Sequence, residues 1–300
     1  MYIPEDQLTR WSNQGGTTNS IAAHTSIRNA LEANDSGLNR PDFEIFLQGS
    51  YKNSTNIRAD SDVDLVVQYD KVYYRDLARL SPGEVQRYTG CHNTVDYGAV
   101  NWRNDVERAL RKKFPGKVQL GGGKAFKVVT GPGNMTADVV PALLYKQYTY
   151  FNTSQDEGFD PGIKFADVSG NITLNYPKLH IANGEDKNSQ NRTSGRYKPT
   201  IRMFKNARNY ASERGLLANG IAPSYFVECL LSNVPDVHYR GPGLREVYYN
   251  IMKYFMENPI GAFMCQNGQL PLFGTDSTQW NTTDANTFIR GLANLWDRWE

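Results

Sequence analysis

Cysteine is scarce in this chain: Cys91, Cys229 and Cys265 are widely spaced, odd in number and without a C-x-x-C pair. A disulfide framework and a cysteine-based zinc site are therefore excluded as organising devices, and a reducing compartment fits better. Histidine is nearly as sparse, with His24, His92, His180 and His238 scattered and no H-E-x-x-H. Net charge is almost absent, since 33 Lys and Arg against 31 Asp and Glu leave +2. That rules out a basic coat, so any nucleic-acid or nucleotide site must be a local patch. No apolar run approaches the ~18 residues of a membrane span. The best, ADVVPALLY and YFVECLL, are core-sized. The opening MYIPEDQLTRWSNQGG is polar and lacks a signal-peptide core. The expectation is a cytoplasmic protein with no membrane partner.

What is present suffices for a real core: 39% hydrophobic and 12% aromatic residues, with 18 Tyr. At 300 residues the chain is about twice the ~150-residue single-domain prior, which suggests two lobes around one cleft. Thr18 or Asn19 caps a helical run through Ile21, Ile27, Ala30 and Leu31. Strand-like runs follow at Phe43 to Gln48, Val63 to Tyr69, Lys117 to Leu120, Phe126 to Thr130 and Ala137 to Val140. Gly121 to Gly123 suit a hairpin turn, and Ala125 stands where a Walker A would need Ser or Thr. Residues 151–198 are polar and read as loop-dominated. Beyond them, Pro199 suits the first turn of PTIRMFKNARNYASERG and Gly215 its C-terminal cap, with Ile201, Phe204, Ala207 and Ala211 as the buried stripe. APSYFVECLLSN, GLREVYYNIMKYFMEN and TDANTFIRGLANLWDRW are further helices. The fold class is α+β: a sheet-bearing lobe over 1–150 and a mainly helical lobe over 151–300.

Asp62-Val63-Asp64 requires explanation. On a strand, Asp62 and Asp64 share one face, and two neighbouring carboxylates repel unless a cation lies between them. Magnesium takes such oxygen ligands together with substrate phosphates. A bare D-x-D also suits a wet edge strand, so context decides. Gly49-Ser50 ends an apolar strand fourteen residues before Asp64, offering N–H groups and a hydroxyl to a phosphate. Asp138 opens another apolar strand and is the candidate third acid. Arg202, Lys205 and Arg208 recur every three residues beside an apolar stripe, which suits either phosphate contact or a solvated basic face. Ser224 and Tyr225 open a helix, where anions are favoured, although Tyr225 also suits a core.

GSYKNSTNIRADSDVDLVV followed by a distal Asp strand resembles the polymerase-β-type nucleotidyltransferase signature. Together with WSNQGGTTN, LQGSYKNSTNIR, NYPKLH, YKPTIRMFKNAR, APSYFVECLLSNVPD and CQNG, it resembles the bacterial CD-NTases, relatives of cyclic GMP-AMP synthase used in anti-phage signalling, nearest to the CdnE-like clade E, over nearly the whole chain. The resemblance implies a nucleotidyltransferase core with a helical C-terminal lobe and a cleft between. It also implies two Mg²⁺ ions on Asp62, Asp64 and Asp138, and triphosphate at Gly49 and Ser50. Lys205 and Ser224 would reach phosphates, Tyr225 would stack on the donor base, and Asn175 would read uracil in the acceptor pocket. An Asn amide suits the N3–H and O4 edge of uracil, though a turn or capping role suits it too.

The implied activity joins two nucleoside triphosphates, such as UTP and ATP, into cyclic UMP-AMP or cyclic UMP-UMP, which activates a downstream effector. No zinc-binding insert is visible, so DNA sensing is not expected, and a monomer is the default. Two alternatives stay open: a template-independent RNA or protein nucleotidyltransferase, and a non-catalytic nucleotide-binding regulator.

Overall fold

The computed structural model describes residues 2–16, 18–38, 42–57, 63–131, 136–276 and 278–299. Helix α1 (Glu5–Ser12) and helix α2 (Thr18–Glu32) lead to strand β1 (Phe43–Leu47) and the one-turn helix α3 (Gly49–Lys52). Then come β2 (Val63–Asp76), α4 (Pro82–Cys91), α5 (Ala99–Lys113), β3 (Val118–Gly121), β4 (Ala125–Val129), β5 (Thr136–Thr153), β6 (Asp156–Ala166) and β7 (Ile172–Asn175). The remaining regular elements are helices, α6 (Pro177–Lys187), α7 (Gln190–Thr193), α8 (Tyr197–Glu213), α9 (Ser224–Ser232), α10 (Leu244–Glu257) and α11 (Thr282–Asp297), with a 3-10 turn at Asp236–Tyr239 and isolated β-bridges between α10 and α11.

The chain divides into two units. One comprises Thr17–Tyr51 and Asp60–Lys178; the other comprises Met1–Gly16, Lys52–Ala59 and Leu179–Glu300. The expected division at residue 150 falls inside β5.

In the first unit the strands form one seven-stranded sheet in the order β1-β2-β5-β4-β3, with β6 on β5 and β7 on β6. Only β2 and β5 run parallel; the other pairs are antiparallel. Strand alternation sorts the side chains. Val63, Leu65 and Val67 of β2 join Ala137, Val139 and Leu143 of β5 in a core shared with α2 and α5. Val66, Val140 and Ala142 point to the opposite face and pack with Ile163 and Phe165 of β6. Within α2 the buried stripe is Ala23, Ile27 and Leu31, whereas Ile21, expected inside, is 64% exposed. The hairpin reading of Gly121 to Gly123 holds: Gly121 pairs with Ala125 across the three residues 122–124, of which Gly122 and Gly123 take the positive φ that glycine adopts freely.

Residues 151–198, expected as loop, carry the end of β5 and all of β6, β7, α6 and α7. Gly158, Pro161 and Gly162 give β6 the composition of a turn. Over that stretch β6 pairs with β5 alone, and a proline is tolerated on such an edge.

In the second unit, Ile201, Phe204, Ala207 and Ala211 of α8 are buried as expected. Gly215 closes α8 with φ +71°, while the Leu216 N–H donates to the Ala211 carbonyl at 2.9 Å. The N-terminus is part of this unit's core through Ile3, Leu8 and Trp11. The Glu5 carboxylate accepts the Leu244 and Arg245 N–H groups at 2.7 and 2.8 Å, capping α10.

Candidate active site

Asp64 and Asp138 are direct register partners on the parallel strands β2 and β5, the second residue of the first and the third of the second. Alternation puts both on the face opposite α2 and α5, side by side about 4.8 Å apart along the sheet. Gly49 closes in on the same spot. It has φ +67°, and a Cβ added there would lie 3.0 Å from Asp64 Cγ and nearer still to Oδ2. A Cβ at Gly121 would lie 3.3 Å from Asp138 Oδ1, so a glycine borders each carboxylate. Lys127 of β4 is the register partner of Asp138 on its other side. Ser50 follows Gly49 in α3 and is half-buried. Asp62 lies outside the described residues. Among the described residues no three His, Cys, Asp or Glu side chains gather as a metal-binding group. The described pair is all-oxygen in its donors, which is the chemistry that suits Mg²⁺.

Asn175 ends β7 opposite Ile163. Its Oδ1 accepts the Tyr176 N–H at 2.8 Å, a local bond that orients the amide and leaves the Nδ2 hydrogens as its donors.

Lys205, Ser224 and Tyr225 belong to the other unit. Ser224 is exposed at the first turn of α9, where its hydroxyl accepts from the Arg208 guanidinium at 3.3 Å beside a surface cavity of about 460 Å³. Tyr225 stacks on His180, with centroids 5.2 Å apart and planes at 23°. Burial, together with the neighbouring Cys229 and Cys265, pushes its phenol well above the usual range, so the ring stays neutral.

Lys205, expected to reach a phosphate, lies in a buried polar network. It is 1% exposed, and its ammonium meets Glu228 Oε1 at 2.5 Å, the Thr55 carbonyl at 3.2 Å and Thr55 Oγ1 at 3.3 Å. Three acceptors fill its three donors, so Lys205 has no proton left for a phosphate in this arrangement. Nor is the basic row of α8 solvated. Arg202 donates to the Ser12 and Ser54 carbonyls, and Arg208 to the Ala222 carbonyl. Glu228 is the hub. Oε1 also accepts from Thr55 Oγ1 at 2.6 Å, and Oε2 from Asn53 Nδ2 at 3.1 Å and His180 Nε2 at 3.2 Å. Burial alone would raise its carboxyl, but the Lys205 charge and the His180 hydrogen bond outweigh it and hold the group well below the carboxylate range. The segment supplying Asn53 and Thr55 follows Gly49-Ser50 within one motif, YKNSTN, whose polar residues gave the only sequence signal for this network.

The nucleotidyltransferase domain profile matches residues 26–135, and the cGAS/DncV-like nucleotidyltransferase C-terminal helical domain profile matches residues 182–297. Along its whole length the chain is 42% identical to the cyclic UMP-AMP synthase of Rhodothermus marinus (strain SG0.5JP17-172), 99% of which is covered. The chain belongs to the CD-NTase family. A solved structure of the Rhodothermus marinus CdnE c-UMP-AMP synthase with Apcpp and Upnpp superposes at TM-score 0.86 and 41% identity, over 99% of this chain and 97% of that one. The cyclic dipurine nucleotide synthase of Elizabethkingia meningoseptica is 33% identical over 86% of each chain. This CD-NTase is a nucleotidyltransferase with the mixed sheet, flanking helices and C-terminal helical domain of its relatives. Divalent metals serve nucleotidyltransferases generally. No helix among the described residues is long and apolar enough to cross a membrane.

Proposed function

We propose that this CD-NTase joins two nucleoside triphosphates into a cyclic dinucleotide containing uridine, with release of two pyrophosphates, as a second messenger for an effector in anti-phage defence. The observation that carries the reading is the register pairing of Asp64 with Asp138 beside Gly49, on a chain similar throughout its length to a cyclic UMP-AMP synthase.

Asp64 and Asp138, with Asp62, would hold two Mg²⁺ ions, which when bound supply charge neutralisation at the triphosphate and acidify an attacking hydroxyl. The protein's own part is positioning and charge stabilisation. Gly49 leaves room for the Asp64 carboxylate itself, and the N–H groups and hydroxyl of Gly49-Ser50 would bind the triphosphate. Asp138 would take the proton of the incoming 3′-hydroxyl as the α-phosphate bond to pyrophosphate breaks. Ser224 would touch phosphate and Tyr225 would stack on the donor base. At Asn175 the Nδ2 hydrogens suit the O4 carbonyl of uracil and are mismatched to the amino group of cytosine.

The test is product analysis. The protein is incubated with Mg²⁺ and each pair of the four ribonucleoside triphosphates, and phosphatase-resistant products are weighed. A cyclic product that requires UTP is expected. A cyclic product without uracil keeps the synthase and removes Asn175 from base reading. Only linear or macromolecule-bound nucleotide would establish the RNA- or protein-directed transferase instead.

A further inference from the structure

His180 is an unusual occupant of a core. It is 5% exposed, its Nε2 bonds Glu228 Oε2 at 3.2 Å, and its Nδ1 is buried without a hydrogen-bond partner among the described residues. A position that needed only volume would be filled at lower cost by Leu or Phe, because an orphaned buried nitrogen is destabilising. What the imidazole provides, and an aliphatic side chain does not, is a flat face whose plane is fixed. One in-plane hydrogen bond to a carboxylate stops the ring from turning. Glu228 is itself immobilised by Lys205, Thr55 and Asn53. The His180 backbone is tied down as well, its carbonyl accepting from Gln266 Nε2 at 2.7 Å. The face so fixed lies against Tyr225, 5.2 Å away at 23°. Of its ring contacts, His180 is the one that lies flat against Tyr225: Phe226 meets it edge-on, with centroids 5.7 Å apart at 68°, and its hydroxyl meets Asn267 Nδ2 at a long 3.5 Å.

We infer that His180 is a positioning residue that sets the plane of Tyr225 for stacking on a nucleotide base, with Glu228 and Lys205 as the anchor behind it. This rests on the reading of Tyr225 as the base-stacking residue. The buried pair on α8 and α9 thereby gains a role in substrate recognition, in place of the phosphate contact expected for Lys205.

The test compares H180L with H180F in the full chain. Both lose the bond to Glu228 and both are apolar, but only Phe keeps a flat face. KM and kcat are measured for each of the two substrate triphosphates. H180L is expected to raise the KM of one nucleotide on the order of 10-fold, as loss of an ordered stacking platform does. The other KM and kcat stay within about twofold, and H180F, flat but without the bond to Glu228, recovers only part of the loss; full recovery would remove Glu228 and Lys205 from the role. Equal KM values for H180L and H180F overturn the inference, as does a fall in kcat alone for both. Y225L separates the layers. If it moves neither KM, the base-stacking reading itself fails. If it moves one KM that H180L leaves alone, only the role of His180 fails.

Discussion

Gly49 does at one residue what no other amino acid could. Its φ of +67° is in the left-handed region, and its missing Cβ is the space that Asp64 occupies. The first demand alone would cost a substituted alanine ~1–2 kcal/mol in backbone strain. The second falls on chemistry, because the carboxylate must move. G49A is therefore expected to lower kcat about 10²-fold while the protein stays folded, since ångström-scale displacement of a reacting group costs that much. Steady-state kinetics beside a thermal melt would check it, and near-normal turnover would remove Gly49 from the site. Asn175 gives a milder case. N175S removes the amide donors that Asn175 keeps after bonding the Tyr176 N–H. The preference for UTP over CTP is expected to fall about 10-fold, the worth of one or two hydrogen bonds. Competition between the two triphosphates would measure it.

Helices α8 and α9 are joined by Lys205 and Glu228, which are buried together with a 2.5 Å contact. Removing one partner of such a pair leaves an uncompensated charge. E228Q is expected to cost about 3–5 kcal/mol, and K205M/E228L together much less than the sum of their single effects. Urea titrations would show it. The pH dependence has a defined sign. The folded carboxyl of Glu228 is held below its unfolded value near ~4.3, so its contribution is complete above that pH and is lost as pH falls toward the depressed value. E228Q should flatten the decline of the urea midpoint below about pH 4.3.

This network also marks where sequence stops informing. The apolar stripe of α8 was legible because period 3.6 needs no partner to be recognised. Burial of Arg202 and Lys205 was not, since it depends on segments about 150 or more positions away in sequence: Ser12, Ser54, Thr55. Likewise Asp64 and Asp138 announced themselves by residue type and strand context, whereas their exact register required β2 and β5 to be parallel. β6 escaped notice because Gly158, Pro161 and Gly162 carry loop chemistry onto an edge strand.

At the scale of the whole molecule, the helical unit is not a C-terminal piece. Its core takes Ile3, Leu8 and Trp11 from the N-terminus, and Glu5 caps α10. Its buried ion pair takes Asn53 and Thr55 from the segment after α3. The family profile begins at residue 182 and includes neither. A fragment of residues 179–300 would thus expose the apolar surface that α1 covers. It would also leave Glu228 with two of its four side-chain donors and Lys205 with one of its three acceptors. Buried polar groups left unpaired cost about 1–3 kcal/mol each, and losing three large core side chains costs several more. Against the ~5–15 kcal/mol by which native proteins are stable, the sum is large enough to abolish cooperative folding. The fragment is expected to melt without a sharp transition and to bind hydrophobic dye. The full chain carrying L8A should instead fold with its midpoint lowered by the ~2–5 kcal/mol of a buried Leu→Ala. A sharply melting, dye-free fragment would show that the first sixteen residues and the segment after α3 are accessory to a helical unit complete without them.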